Sequence, residues 1–160
     1  MLLFMIKKVI VCSILVVLSS CGFTPMLKDF DSSNLNIQKV NYAGNSNLVY
    51  LTKNYLNLEE KRGAKGLIVN FVISESSTST AQNTSGIVTE EQITLSIAIN
   101  VLNNKNVNLL TDSLSASKKL PISNNLSSDQ EIRRIEKNNL IQNLTQKIKF
   151  KLQLISRQQK

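Results

Sequence analysis

Apolar and polar residues alternate through much of the second half of the chain, and this alternation predicts β-strands. The clearest strand is Ile93–Val101, which has an apolar residue at every second position. A strand at Leu67–Ser74 precedes it, and the asparagine-rich segment Asn103–Asn106 predicts a hairpin turn into a further strand at Val107–Leu120. The alternation in this last strand is imperfect, which indicates a bulge or a position at the edge of the sheet.

Two polar segments interrupt these strands and predict connections. Ser74–Ser85 contains eight Ser or Thr residues in twelve positions and reads as a polar loop. Near the start of the chain, Leu35–Val40 alternates as a short first strand, and the glycine- and asparagine-containing segment Asn41–Asn47 predicts a turn after it.

Two other segments have the spacing of amphipathic helices. In Asn47–Glu60, apolar residues recur at steps of three and four, and Arg62–Gly66 is typical of a helix end. Ser128 followed by Glu131 resembles a capping box and predicts the start of a helix covering residues 128–155. The apolar positions of this second helix are Ile132, Ile135, Ile141, Leu144, Ile148, Leu152 and Ile155.

The predicted order of elements is strand, helix, three strands, helix. Each helix has one apolar stripe and each clear strand has one apolar face, so both helices are expected to cover the same side of one sheet. The three consecutive strands favour antiparallel pairing, whereas the first strand, which a helix joins to the second, can pair in parallel. The predicted fold class is therefore an α+β two-layer sandwich with a four-stranded, mixed but mostly antiparallel sheet.

The first twenty residues have the order of charge and hydrophobicity found in secretory signal peptides. Lys7 and Lys8 precede an apolar run at Val9–Leu18, and small residues follow. A retained membrane anchor is the alternative, but a spanning helix needs about 20 apolar residues and the two lysines interrupt this stretch. We therefore predict a cleaved signal peptide at residues 1–20.

Cys21 follows directly after Leu18-Ser19-Ser20, and this sequence resembles the lipobox of bacterial lipoproteins. The resemblance implies cleavage before Cys21 and acylation of this cysteine; two or more acyl chains anchor a protein stably to a membrane. An ordinary buried thiol is the alternative. The predicted organisation is a lipoprotein signal at 1–20, a lipidated tether at 21–33 and one α/β domain at 34–160.

Composition excludes several kinds of active site. The 160 residues include 19 Lys or Arg, 11 Asp or Glu and two Cys but no His, and the formal charge is +8. Without histidine there is no Ser-His-Asp triad and no histidine metal site, and two cysteines alone cannot hold zinc. We expect a protein that is not an enzyme and that has no metal site and no cofactor.

Two further functions are disfavoured by position and composition. A carboxylate hydrolase would have to use Glu59–Glu60 or Glu90–Glu91, but neighbouring side chains on a strand point to opposite faces, and neighbouring ones on a helix diverge. The positive charge also suits a nucleic-acid binder. Export and the small number of aromatic residues, three Tyr and five Phe, argue against nucleic acid as a partner.

Several segments together resemble the LPS-assembly lipoprotein (LptE-like) family of Gram-negative outer membranes. The resemblance begins with Cys21-Gly22-Phe23-Thr24-Pro25 and continues through a helix before Gly66 to the strand segment Leu67–Ser76 (LIVNFVISES). It also includes the hydrophobic strand ITLSIAINVL at 93–102, the asparagine-rich turn and the basic final helix. These features cover most of residues 16–155.

This resemblance implies a binding protein on the periplasmic side of the outer membrane. Members of the family are two-layer α/β domains that plug a large outer-membrane β-barrel, the LPS translocon, assist its assembly and contact lipopolysaccharide. The expected partners are therefore this barrel protein, lipopolysaccharide, and the outer membrane through the lipid anchor. Outward faces rich in Asn, Ser and Thr suit the wet interior of such a barrel.

The lipopolysaccharide phosphates implied by the resemblance would be met by basic side chains. The first candidates are Lys118 and Lys119, and the second are Arg133 and Arg134. The alternative for both pairs is that they serve only solubility. The alternative function is a free lipoprotein that faces the periplasm and binds an anionic or apolar ligand, which would require a deep pocket between the helices and the sheet.

Overall fold

The computed structural model describes residues 35–61 and 66–158. They form strand β1 (Ile37–Gly44), helix α1 (Ser46–Leu56), strands β2 (Leu67–Gln82), β3 (Val88–Leu102) and β4 (Asn108–Pro121), and helix α2 (Leu126–Gln158). The predicted signal peptide and tether, with Cys21, lie outside the described residues.

The strands form one mixed sheet in the order β1-β2-β3-β4. β1 pairs parallel to β2, and the other two pairs are antiparallel. The predicted α+β fold class and the parallel pairing of the first strand are confirmed. β4 is an edge strand with a register shift opposite Val101 and Leu102, as its imperfect alternation predicts.

Both helices pack on one face of this sheet, because alternate strand positions supply a continuous apolar surface there. β3 is the centre of the core and buries five side chains on that face, from Ile93 to Val101, each at 1 % exposure or less. α1 contributes Leu48 and Leu56. α2 contributes six buried residues: Leu140, Ile141, Leu144, Ile148, Leu152 and Ile155.

The prediction of a polar loop at Ser74–Ser85 is wrong for most of its length. β2 continues to Gln82, and its Ser/Thr half pairs with β3 from Ser74 opposite Ser96 to Gln82 opposite Val88. The segment contains no Gly or Pro before Gly86, and β-branched threonines fit a strand. Low hydrophobicity here reflects exposure, because every residue of β2 from Ser74 to Gln82 is exposed.

The two hairpins use the same asparagine-centred turn. In the second, the side-chain oxygen of Asn103 accepts hydrogen bonds from the backbone N–H groups of Lys105 and Val107, both at 2.9 Å, and Asn106 has a φ of 60°. In the first, Asn83 accepts from Ser85 and Ile87, at 3.0 and 2.9 Å. The turn predicted at Asn103–Asn106 is confirmed.

The ends of the first strand and first helix differ from the prediction. β1 runs to Gly44, where a turn was expected. α1 stops at Leu56, well before Gly66, because Asn57 adopts a left-handed conformation (φ 46°) and its N–H donates to the Lys53 carbonyl at 2.8 Å. This arrangement satisfies a terminal carbonyl of the helix.

Helix α2 also begins earlier than the predicted capping box at Ser128. The helix starts at Leu126, and Asn125 caps it: the Asn125 carbonyl accepts from Asp129 N at 2.9 Å and its side chain accepts from Ser128 N at 3.3 Å. Ile135, predicted to lie on the apolar stripe, is 45 % exposed. No helix among the described residues is both long enough and apolar enough to cross a membrane.

Candidate functional site: the open face of the sheet

The helices leave the second face of the sheet uncovered, and polar side chains dominate it. We call this surface the open face. Strand register places on it residues of all four strands: Lys39, Asn41, Ala43, Ile68, Asn70, Val72, Ser74, Ser76, Thr78, Glu90, Gln92, Thr94, Ser96, Ala98, Asn100, Leu102, Thr111, Ser113, Ser115, Ser117 and Lys119.

One row of side chains crosses the whole open face as a continuous chain of hydrogen bonds. The Asn41 amide donates to Asn70 at 2.7 Å, and the Asn70 amide donates to Asn100 at 3.3 Å. Asn100 in turn donates to the Thr111 hydroxyl at 2.9 Å and to Asn108 at 3.3 Å. Cross-strand polar pairs of this kind stabilise neighbouring strands.

In the next three cross-strand rows of the open face, the side chains are small and carry no charge. They follow the sheet outward from the asparagine row, with Ala98, Ser96 and Thr94 on the central strand β3. Amides and hydroxyls both donate and accept hydrogen bonds, so such a surface can meet many arrangements of polar groups or water on a partner. This uncharged part of the open face can therefore adapt its hydrogen bonds to a wet, polar surface without having to desolvate an ion.

Charge appears on the open face at two places: at Lys39 on β1, opposite Ile68, and at the far end of β3 and β4. The Lys119 ammonium lies 3.0 Å from a carboxylate oxygen of Glu90, which also accepts from the Thr80 hydroxyl at 2.7 Å. The Thr80 hydrogen bond and then Lys119 lower the pKa of Glu90, so this carboxylate stays ionised. Lys119 therefore already has an anionic partner within the chain.

The other predicted basic residues are not gathered with Lys119. Lys118 lies on the opposite face of β4, across from Ile93, where it is exposed. No ion pair of Lys118 is present among residues 35–61 and 66–158. The predicted pair Lys118–Lys119 is thus split between the two faces of the sheet, as alternation along a strand requires.

The two arginines of α2 also differ from each other. Arg133 holds the nearly buried carboxylate of Glu91 on β3 with two nitrogen atoms, and its Nη2 lies 2.9 Å from Glu91 Oε2. Arg134 is exposed and pairs with Glu131 one turn earlier, at 2.6 Å, which raises the pKa of Arg134. Arg133 joins α2 to the sheet, and Arg134 lies in the solvent.

An open groove of about 590 Å³ separates α1 from the first turns of α2. Arg133, Arg134 and Lys137 contribute to its wall, together with Glu75, whose carboxylate lies 2.6 Å from Lys137. Three of the basic side chains of α2 thus border this one groove. Their carboxylate partners neutralise most of this charge.

Sequence patterns did not reveal the asparagine row or the pairing of the cations. Asn70 and Asn100 occupy polar positions of alternating strands, which is the available signal, but their contact depends on the register between strands. The partners of Lys119 and Arg133 lie 29 and 42 residues away in the chain. No cluster of three metal-ligating side chains occurs in the described ranges.

Neither a protein-family model nor a curated protein sequence matches this chain. Among solved structures, rare lipoprotein B from Shewanella oneidensis superimposes with a TM-score of 0.57 at 10 % identity, over 76 % of this chain and 96 % of that one. Lipoprotein B from Nitrosomonas europaea gives a TM-score of 0.54 at 14 % identity, over 72 % and 81 %. The fold described above is therefore one that this chain shares with two bacterial lipoproteins.

Proposed function

We propose that this protein is a lipid-anchored lipoprotein of the outer membrane that plugs and helps to assemble the large β-barrel translocon for lipopolysaccharide. Its role is binding and assembly, without catalysis, and it contacts lipopolysaccharide during delivery to the cell surface. The anchor is the acylated Cys21, and the folded part faces the periplasm.

The open face is the observation that carries this proposal. A mostly antiparallel sheet commonly leaves one face in water, and here that face is filled mainly with amides and hydroxyls. The lumen of a large barrel is polar and hydrated, and its side chains offer complementary hydrogen-bonding groups. Interfaces that stay wet are common and are not weak for that reason.

Two further observations support the proposal. The sequence before Cys21 resembles a lipobox, and the fold is similar to that of the two bacterial lipoproteins. Large barrels of about 22 strands hold plugs in their lumen, and a domain of this size suits such a space.

The test places a photo-reactive residue at Ser96, in the centre of the open face, in the full chain expressed in its own cell envelope. We expect a cross-link to a large outer-membrane barrel protein. A matched probe at Gln82, at the far end of β2, should give less of the same product. If neither probe yields a barrel protein, the plug is contradicted.

The anchor and the lipopolysaccharide contact need their own measurements. Mass spectrometry of the purified protein should give an amino terminus at acylated Cys21. Lipopolysaccharide should cross-link to probes at Lys118 or Arg134, whose heads are exposed, more than to one at Ser96. An unmodified amino terminus contradicts the anchor, and equal lipopolysaccharide yields at all three positions contradict the basic residues as its contacts.

The groove between the helices favours a second candidate function, a free lipoprotein that binds an anionic ligand. Its walls hold Arg133, Arg134 and Lys137, which an anion would have to share with their carboxylate partners, and its volume of about 590 Å³ suits a small molecule. Thermal stabilisation of the purified protein by inorganic phosphate or a short acyl phosphate, in the absence of any barrel, would favour this function. Its loss in Lys137→Met would place the ligand in the groove.

A further inference from the structure

The two edges of the sheet are not equivalent. The outer edge of β1 is covered by the chain after α1: Glu60 accepts a hydrogen bond from Val40 N at 2.7 Å, and Lys61 N donates to the Ile37 carbonyl at 2.8 Å. The outer edge of β4 has no pairing strand among the described residues. Such an edge presents a row of unpaired N–H and carbonyl groups to a further strand.

The direction of the backbone groups on β4 follows from two hydrogen bonds. The N–H of Ile122, just after the strand, donates to Thr89 on the β3 side at 2.9 Å. The N–H of Ser113 donates instead to the side chain of Asp112, at 2.8 Å. By alternation, the odd-numbered residues from Thr111 to Lys119 turn their backbone groups outward, with Ser115 at the centre.

The sequence of β4 is self-complementary about Ser115. On the side that faces the helices, it reads Leu110, Asp112, Leu114, Ala116, Lys118, Leu120. An antiparallel second copy centred on Ser115 places Asp112 opposite Lys118. It also places Leu114 opposite Ala116, and leucine opposite leucine at the outer positions.

Charge selects this register over its neighbours. Moving the axis by one residue puts Asp112 opposite Ala116 or Leu120, and leaves both it and Lys118 without an opposite charge. In the centred register each copy supplies one Asp112 and one Lys118, so two ion pairs form. Asp112 already pairs with Lys151 at 2.6 Å, and its second oxygen accepts from Ser113 N. Pairing of the two strands has to transfer this N–H to the Ser117 carbonyl of the other copy, which frees that oxygen of Asp112 for Lys118.

The helix beside this edge also has apolar surface that nothing in the described chain covers. A groove of about 400 Å³ lies between β4 and α2, where the apolar side chains of Leu114, Phe150 and Leu154 are joined by Asn143, Gln146, Lys147 and Lys151. Phe150 is 36 % and Leu154 44 % exposed. Because Leu114 is next to Ser115, the grooves of two paired copies lie on either side of the axis and can bury each other's apolar side chains.

Features that protect an edge from random pairing are confined to one end of β4. Lys118, Lys119 and Pro121 lie there, and lysine and proline are common edge protectors. In the centred register they meet Asp112, Thr111 and Leu109 of the other copy, so no two cations are opposed. Lys118, Lys119 and Pro121 therefore disfavour pairing with other strands but are compatible with a second copy in the centred register.

We infer that a second copy of this chain pairs with β4 edge to edge, antiparallel about Ser115, to form a continuous eight-stranded sheet. The two-fold axis passes through Ser115, and each Lys118 pairs with the Asp112 of the other copy. A lumen that holds one domain has no room for a paired second copy, so this dimer is a state of the chain outside the barrel. The cross-linking below detects it without the barrel, and its failure leaves the plug untouched.

The test is disulfide formation in the full chain, extracted in mild detergent and oxidised. Directly opposed residues in such a pair are about 5.5 Å apart at Cα, within the range for a disulfide. Ser115→Cys should give at least about ten times more cross-linked dimer than Ser96→Cys in β3, the matched control, or than the parent chain. Equal yields from Ser115→Cys and Ser96→Cys overturn the inference, as does a Ser115→Cys variant that cross-links only to another protein.

Two further arms test the register and the charges. Ser113→Cys alone should not cross-link, but a mixture of Ser113→Cys and Ser117→Cys should, because these positions oppose each other. Adding Lys118→Glu to Ser115→Cys should lower the yield severalfold, and Lys118→Arg should retain it. Cross-linking of Ser113→Cys alone, or indifference to Lys118→Glu, contradicts the proposed pairing.

Discussion

The guanidinium of Arg133 on helix α2 binds both carboxylate oxygens of Glu91 on strand β3. Glu91 is 9 % exposed and also accepts a hydrogen bond from the Ser77 hydroxyl at 3.1 Å. The contact fixes the first turns of α2 against the end of the sheet, beyond the apolar core. A residue predicted from the sequence as a lipopolysaccharide contact thus has a structural role in the folded chain.

Replacement of Arg133 by methionine should destabilise the protein by about 1–3 kcal/mol, because it leaves the Glu91 carboxylate nearly buried with one hydrogen-bond donor. Arg133→Lys should cost less, since it keeps the charge but loses the two-nitrogen geometry. Urea unfolding measures the difference. Arg134→Met is the control and should leave the unfolding midpoint unchanged, because its pair with Glu131 is exposed. Equal effects at Arg133 and Arg134 would contradict this role.

The hydrogen bonds of Asp129 lead us to expect that the fold loses part of its stability in acid. The backbone N–H of Ser123 donates to the Asp129 carboxylate at 3.0 Å, and the Ser123 hydroxyl donates to it at 2.7 Å. Both bonds lower the pKa of Asp129, and the backbone bond has the larger effect. A carboxyl with a lower pKa in the folded state contributes stability above its unfolded pKa of about 4, and loses it as the pH falls through the folded value. Asp129→Asn should therefore be less stable than the natural chain at pH 7, and the two should converge in acid. Parallel pH curves would show that this carboxyl does not contribute.

Gly44 and Gly86 provide a matched pair of backbone substitutions. Gly44 has a φ of +132°, and a Cβ there would overlap the backbone oxygen of Ile73 on the neighbouring strand. Gly44→Ala should therefore add a clash to a backbone strain of about 1–3 kcal/mol. Gly86, in the first hairpin turn, has a φ of +78° and open space around it, so Gly86→Ala should cost only about 1–2 kcal/mol. Thermal unfolding compares the two, and a larger loss at Gly86 would contradict the packing of β1 on β2.

Ile141 and Ile135 test which side of α2 faces the sheet. Ile141 is completely buried, and Ile141→Ala should cost about 2–5 kcal/mol through lost burial and the remaining cavity. Ile135 is 45 % exposed, and Ile135→Ala should change the free energy of unfolding by less than about 0.5 kcal/mol. Chemical denaturation measures both variants. A large loss at Ile135 would mean that the first half of α2 packs more closely than described.

Periodicity in the sequence was sufficient to predict the order of elements, the sheet with both helices on one side, and the hairpin at Asn103–Asn106. These features depend on local patterns: alternation along strands such as Ile93–Val101, spacing along helices, and the tolerance of asparagine for left-handed angles. Ends were predicted less well. Asn57 ends α1 and Asn125 caps the start of α2, whereas the sequence pattern placed these ends nearer to Gly66 and at Ser128.

Tertiary structure decided the rest, because register and charge pairing join residues that are far apart in the chain. The Ser/Thr segment after Ser74 lacks Gly and Pro, but it becomes a strand through its pairing with β3, which is long enough to reach it. The row from Asn41 to Thr111 forms only when four strands are aligned, and an error of one residue would turn every side chain to the other face. Lys118 and Lys119 are adjacent in the sequence and predict one basic patch, yet the strand places them on opposite faces. The composition alone determined that the chain is basic and lacks histidine, but only the fold determined which of its cations already have partners.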